Sequence, residues 1–231
     1  MKSRTWVLLA SLSLSACCFF SASASATVMG TLQLGGCASG GFTISSTTID
    51  FFLPIGGGNG CVLVGGGTTL TFDAGTQLPA GTSGAIQDLV AGGGTVSNFI
   101  AFQLPGISFD LVSLGPGSSD TDCSDGFCSP AAGSPVRLQL QAGGITALTL
   151  PFTLTAHDAT TSATYLGNFS TQISGLTPLQ IQTALAGGGS ITSTFSATAA
   201  PGTSTVPEPA TLALLGVGIA RLSFARRRRL N

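Results

Sequence analysis

The 231-residue chain is poor in charged residues and in aromatic residues other than phenylalanine. Only 7% of its residues are charged, and it contains one Trp, one Tyr and one His. Lysine and glutamate occur once each, at Lys2 and Glu208. The scarcity of Trp and Tyr removes the rings that usually stack on sugars in carbohydrate-binding modules. With one histidine and one glutamate, the chain has few groups other than aspartates for general acid–base catalysis.

Positive charge is nearly absent from the middle of the chain. Seven of the eight basic residues lie within residues 1–26 or 206–231, and only Arg137 lies between them. The same central region carries eight aspartates, so its formal charge is −7 although the whole chain has a net charge of −1. Such an acidic surface repels phosphate backbones, which argues against nucleic acid as a partner.

Hydrophobic residues, at 43% of the chain, are too frequent for a disordered protein. Segments rich in Thr, Val, Ile and Phe alternate with a period of two and are bounded by Gly or Pro, which is typical of strands. These segments are 47–53, 68–73, 107–114, 136–141 and 145–156. We predict an all-β fold: a single β-sandwich or jelly-roll-like domain of about ten strands, with one face of each strand buried.

One short helix is predicted at residues 178–186. Thr177 is suited to cap it, Pro178 fits its first turn, and Gly187 allows a left-handed exit. Residues 85–90 form a weaker second candidate.

The N-terminus has the pattern of a secretory signal peptide over residues 1–26. Lys2 and Arg4 precede an apolar stretch, and small residues follow it, with cleavage expected after Ala26. A lipobox-like sequence at 14–17 offers an alternative, in which Cys17 becomes the lipidated first residue.

The C-terminus combines three features within residues 206–231. Val206, Pro207, Glu208 and Pro209 open a motif at 206–211, an apolar segment covers 210–225, and an arginine cluster follows. The cluster consists of Arg226, Arg227, Arg228 and Arg229. Together these features resemble the PEP-CTERM sorting tail of exported bacterial proteins.

That resemblance implies an exosortase as the partner that recognises and cuts the tail. An apolar segment of 16 residues is short for a bilayer core, which needs about 20 residues. Four arginines hold their end of a short transmembrane sorting helix in the cytoplasm. The β-rich domain, 27–205, is therefore expected outside, first held at the membrane and then at the cell surface or beyond.

Four cysteines remain after signal removal: Cys37, Cys61, Cys123 and Cys128. An even number in an exported chain indicates disulfide bonds, with three possible pairings. The short spacing favours Cys123 with Cys128, which leaves Cys37 with Cys61. Zinc is a poor alternative, because the spacing is wrong and the single histidine has no partner ligand.

Three aspartates, Asp120, Asp122 and Asp125, gather beside the Cys123 loop. We interpret them as a solvated acidic turn, in which Asp and Ser bond to the nearby backbone. A calcium site is the alternative, although the spacing differs from an EF-hand loop and no closing glutamate follows.

His157 and Asp158 are neighbours, but adjacent residues on a strand point to opposite faces. No Gly-x-Ser-x-Gly motif accompanies them. We therefore expect no enzymatic activity and no cofactor other than the alternative calcium ion.

The predicted function is that of an exported structural or adhesive protein of the cell surface or extracellular matrix, processed by an exosortase. Extracellular polysaccharide is a candidate partner. The alternative function is an extracellular carbohydrate- or calcium-binding module.

Overall fold

The structure is a computed structural model, and it describes residues 28–202 apart from 39, 53–59, 73–74, 91–93, 103–106 and 159. The predicted signal peptide, including Cys17, and the predicted sorting tail lie outside the described residues.

Fourteen strands and one α-helix account for the regular structure of the described residues. The strands are β1 (Leu32–Gly36), β2 (Gly41–Ile44), β3 (Thr48–Phe52), β4 (Gly60–Val64), β5 (Ser83–Ile86), β6 (Leu89–Val90), β7 (Val96–Phe102), β8 (Ser108–Leu114), β9 (Phe127–Cys128), β10 (Arg137–Gln141), β11 (Ile145–His157), β12 (Ser162–Ser174), β13 (Ile191–Ser193) and β14 (Ser196–Pro201). The helix is α1 (Pro178–Ala186), and a 3-10 turn covers Cys123–Asp125.

Eight strands form a closed antiparallel barrel. Their order is β12-β14-β1-β4-β5-β7-β8-β11, and β11 pairs with β12 to close the ring. The closing pair runs the full length of both strands, from Ile145 opposite Ser174 to His157 opposite Ser162. Strands β10 and β9 extend the sheet beyond the ring, because the first part of β11 pairs with β10 and the last part with β8.

The predicted β-sandwich or jelly roll is wrong, although the prediction of an all-β chain with one short helix agrees with the structure. A sandwich needs two sheets facing each other, whereas here one sheet closes on itself. Alternating apolar residues mark which face of a strand is buried, but both architectures produce that pattern. The choice depends on which distant strands pair, and the alternation does not contain that information.

The barrel is filled by apolar side chains from alternate positions. Strand β11 shows this along its whole length, with every second residue buried from Thr146 to Ala156. Gly167 of β12 makes room for one of the larger fillers, because a Cβ there would lie 2.6 Å from the ring of Phe152. The interior is therefore a packed core.

A smaller sheet, with the order β13-β2-β3-β6, packs against the barrel through phenylalanines. The ring of Phe51 on β3 lies 5.6 Å from that of Phe169 on β12 and 6.1 Å from that of Phe99 on β7. Phe42 and Phe195 complete this cluster. Edge-to-face and tilted rings at these distances contribute packing beyond simple burial.

The predicted helix at 178–186 is confirmed. Thr177 and Gln180 form a reciprocal capping box at its start. Its exit differs from the prediction, because Gly187 has a φ of −78° and the left-handed residue is Gly188, with a φ of +78°. The weaker candidate helix at 85–90 is wrong, since these residues contribute to strands β5 and β6.

Candidate functional site

Both predicted disulfide bonds are present. Cys37, just after β1, is bonded to Cys61 in β4, and their Cα atoms lie 5.6 Å apart. Cys123 is bonded to Cys128 across a five-residue separation, with Cα atoms 5.0 Å apart. The first bond encloses β2 and β3, whereas the second closes only the loop that leads into β9.

Two of the three carboxylates of the acidic turn, those of Asp120 and Asp122, are local backbone acceptors. The Asp120 carboxylate accepts from the Asp122 N–H at 2.8 Å, and the Asp122 carboxylate accepts from the Ser124 N–H at 3.0 Å. Side-chain and backbone hydrogen bonds from Ser124 lower the pKa of Asp122. Within the described part of the chain, no group of three or more His, Cys, Asp or Glu side chains could hold a metal ion.

His157 is joined to an acid that lies distant in sequence. Its Nε2 lies 2.9 Å from Oδ2 of Asp110 on β8, and each side chain is 34% exposed. The other oxygen of Asp110 accepts the Asn98 N–H at 2.7 Å. The adjacent Asp158 accepts instead from the backbone and hydroxyl groups of Thr160 and Thr161, and the Thr160 N–H contributes most to lowering its pKa.

Sequence reasoning missed the pair between Asp110 and His157. The two residues occupy outward positions on β8 and β11, which are adjacent paired strands of the barrel wall. Thr155 is opposite Asp110, and His157 is opposite Ser108. The alternation of each strand indicates the outward positions, but the pairing of β8 with β11 is needed to bring them together.

Among the described residues, no nucleophilic side chain is hydrogen-bonded to the imidazole of the Asp110–His157 pair. Ser108 and Ser162 are its cross-strand neighbours, yet neither hydroxyl is hydrogen-bonded to the imidazole. A Ser-His-Asp device requires that bond in addition to the acid. The hydrogen bond between the two side chains joins β8 to β11.

Burial is the main cause of a raised pKa at two further groups, Asp88 and Tyr165. Burial raises the pKa of Asp88 most strongly, the neighbouring Asp50 adds to the effect, and a hydrogen bond from the Phe51 N–H at 2.7 Å opposes it. Burial also raises the pKa of Tyr165 to about 12, so its hydroxyl is neutral inside the barrel at physiological pH.

An apolar cavity of about 290 Å³ lies between the β2–β3 turn, residues 130–136 and the end of α1. Ile44, Ile49, Val136 and Leu185 provide its buried apolar lining. No charged side chain lines it.

Two uncharged hollows lie on the outer surface of the barrel. The first has a volume of about 460 Å³ and lies over β10, β11 and β12, with Thr194 and Ser196 at one side. The second has a volume of about 210 Å³ and lies over β12, β14 and β1. None of the residues that line either hollow carries a charge.

The predicted sorting residues, Val206 to Pro209 and Arg226 to Arg229, lie outside the described residues. Among the helices that the structure does describe, none has the length and hydrophobicity needed to cross a membrane.

Comparison with known families gives one match, confined to the end of the chain. Residues 205–229 match the family described as the PEP-CTERM protein-sorting motif. No curated protein and no solved structure matches the chain significantly. The match confirms the predicted sorting tail and indicates an exported, surface-directed protein that an exosortase processes.

Proposed function

We propose that this exported exosortase substrate is a non-catalytic structural or adhesive protein of the cell surface or extracellular matrix. The observation that carries the proposal is the PEP-CTERM match at residues 205–229, preceded by one packed β-barrel with its accompanying small sheet. In this proposal the tail directs the protein to the surface and the barrel is the part that remains there.

The chemistry of the barrel domain supports an extracellular role. Its two disulfide bonds fit an oxidising compartment. Several of its described polar residues form caps, turns and cross-strand pairs, as in the acidic turn and the Asp110–His157 link. Such hydrogen bonds stabilise the fold, which supports a structural role for the domain more than a catalytic one.

The proposed path includes a membrane-held intermediate. The apolar segment 210–225 enters the membrane, and Arg226 to Arg229 keep the C-terminus in the cytoplasm, because lysine- and arginine-rich flanks remain on that side. The exosortase then acts near Pro207, Glu208 and Pro209. The bilayer is a partner only until that step.

The alternative, an extracellular ligand-binding module, requires the same export. The carboxylates of Asp120 and Asp122 accept hydrogen bonds from backbone N–H groups, and no cluster of ligands for a metal ion is formed by the described residues, so no observation favours the calcium form. The uncharged hollows on the barrel surface favour the carbohydrate form, which we treat below as a ligand of the surface protein.

The proposal is tested by changing the tail in the native host. Deleting residues 206–231 should leave the protein exported but unprocessed and no longer held at the surface. Replacing Val206, Pro207, Glu208 and Pro209 by alanine should block processing while the apolar segment remains. Leu230→Ala, beyond the arginine cluster, is the matched control and should be processed normally.

The measurement is the intact mass and the location of the protein in membrane, surface and medium fractions. The processed form should lack Arg226 to Arg229. Unchanged surface location after the deletion, or a surface form that still contains Arg229, would contradict the proposal.

A further inference from the structure

The residues that line the two hollows, on the outer face of β10, β11, β12, β14 and β1, are all uncharged. We propose that this face binds an extended neutral polysaccharide chain along the two hollows. The inference rests on the proposed function, because it requires the barrel to be exposed outside the cell.

The first hollow exists because a small residue lies between two long ones. Ala147 of β11 is opposite Gln139 of β10 on one side and Gln172 of β12 on the other. Gln141 and Thr149 border the same depression. The result is a floor at Ala147 with amide groups standing on both sides.

The second hollow lies over the neighbouring strands β12, β14 and β1 and also includes a small residue. Ala200 of β14 is opposite Leu166 of β12, and Thr31 borders the depression beside β1. Asn168 and Gln33 supply amides at its rim, as the glutamines do in the first hollow.

The two hollows adjoin each other. Ser170 opposite Ser196 borders the first, and Asn168 opposite Thr198 borders the second. These cross-strand pairs are two residues apart, which is about 7 Å along a strand. A ligand that fills both must therefore be longer than one sugar ring, which favours a polymer over a monosaccharide.

The side chains that line the two hollows are suited to hydroxyl-rich ligands. Amides and hydroxyls both donate and accept hydrogen bonds, as sugar hydroxyls do. The amides of Gln141 and Gln172 form no hydrogen bond with other described residues, so they are available to a ligand.

Charge selects among polysaccharides. The residues that line the hollows are uncharged, and Arg137, opposite Thr149, donates its guanidinium hydrogen bonds to the Pro116 carbonyl. The central region of the chain has a formal charge of −7, which repels acidic polymers at short range. Without aromatic stacking, each sugar unit binds weakly, so affinity depends on repeated units along one chain. The geometry therefore favours a neutral polymer and disfavours an anionic one.

Affinity electrophoresis of the exported protein tests the inference. Native gels should contain dextran or a galactomannan as neutral probes, or alginate as the anionic probe. We expect at least one neutral polymer to retard the wild-type protein and alginate to have no such effect. No retardation by either neutral polymer, or equal retardation by alginate, would overturn the inference.

Two sets of variants locate the site. Ala147→Ile fills the first hollow and should weaken neutral-polymer binding at least tenfold. Ala85→Ile places the same side chain at an exposed position of β5, on the opposite wall of the barrel, and should leave binding unchanged. Gln141→Ala combined with Gln172→Ala removes two exposed amides without filling the hollow and should weaken binding at least fivefold.

Thermal melts verify that each variant is folded, and the double glutamine variant decides the result if Ala147→Ile does not fold. Unchanged binding in the double variant would overturn the proposed site. Surface fractionation of the same variants separates the two proposals: normal processing and location with no glycan binding contradicts this inference alone.

Discussion

Asp88 and Asp158 are both carboxylates that accept backbone hydrogen bonds, yet their environments act in opposite directions. Burial, with added repulsion from Asp50, raises the pKa of Asp88. Hydrogen bonds from Thr160 and Thr161 to an exposed carboxylate lower the pKa of Asp158. Each shift makes the stability of the fold depend on pH, with opposite signs.

For Asp88 the raised pKa means that folding favours the protonated form. Its contribution to stability is fully present below the ordinary aspartate pKa and is lost as pH rises through the raised value. Asp88→Asn imitates the neutral form and can still accept the Phe51 N–H. We expect a higher melting temperature than wild type at pH 7 and no difference near pH 3; a lower value at pH 7 would contradict this account.

Asp158→Asn is the matched comparison with the opposite sign. The lowered pKa means that the carboxylate stabilises the fold above the ordinary aspartate pKa, and that this contribution is lost as pH falls through the folded-state value. The variant should melt below wild type at pH 7 and approach it in acid. Thermal melts at both pH values measure the two variants together, and shifts of the same sign would show that the assigned causes are wrong.

Helix α1 shows, at the scale of an element, what local sequence determines. Thr177, Pro178 and Gln180 are sufficient to mark its start, because a capping box uses groups within one turn. Strand segments such as 145–156 were predictable for the same reason, since alternation is also local. The segment 85–90 failed because its glycine-rich surroundings carry no clear period and its strands are short.

Thr177→Ala should destabilise the protein by about 1 kcal/mol, because the Gln180 N–H loses its acceptor at the helix start. Thr183→Ala in the same helix is the control, since an alanine in a helix interior is favourable and only a bond to the Leu179 carbonyl is lost. Urea unfolding measures both changes. Equal losses in the two variants would show that the cap is not the source of the effect.

At the scale of the whole molecule, distant pairings decide the architecture. Leu32 lies opposite Ala199, and the barrel closes only because β11 pairs with β12 along 13 residues. The link between Asp110 and His157 spans 47 positions and depends on a shifted register between β8 and β11. None of these pairings has a local signature in one sequence, so the closure of the barrel was not predictable. The long alternating strands were predictable, but about ten strands were expected where the described residues form fourteen, and segment 68–73 forms only isolated bridges at Thr71. The sorting tail was predictable because its signal lies within one contiguous stretch.

The Cys37–Cys61 bond joins the neighbouring barrel strands β1 and β4, and it closes the loop that contains β2 and β3 of the small sheet. Replacing both cysteines by alanine should lower the free energy of unfolding by about 3 kcal/mol, from the chain entropy of a loop spanning 24 positions. The variant should also be cleaved faster by protease at the exposed residues 46–47.

The variant with Cys123→Ala and Cys128→Ala is the comparison, since its bond lies outside the small sheet. It should not accelerate cleavage at residues 46–47. Urea unfolding and mapping of the first proteolytic cut distinguish the two variants. Equal cleavage in both variants would contradict a specific role of the Cys37–Cys61 bond in holding the small sheet in place.

The position of β14 between β12 and β1 has a consequence for the timing of biogenesis. Residues 196–201 fill the space between an early strand and a late one, so the ring stays incomplete until this last strand is available. Before the chain has emerged as far as Pro201, the ring cannot close. The matched sorting motif begins only four residues later, at residue 205, so completion of the fold and appearance of the sorting signal are nearly simultaneous events in synthesis.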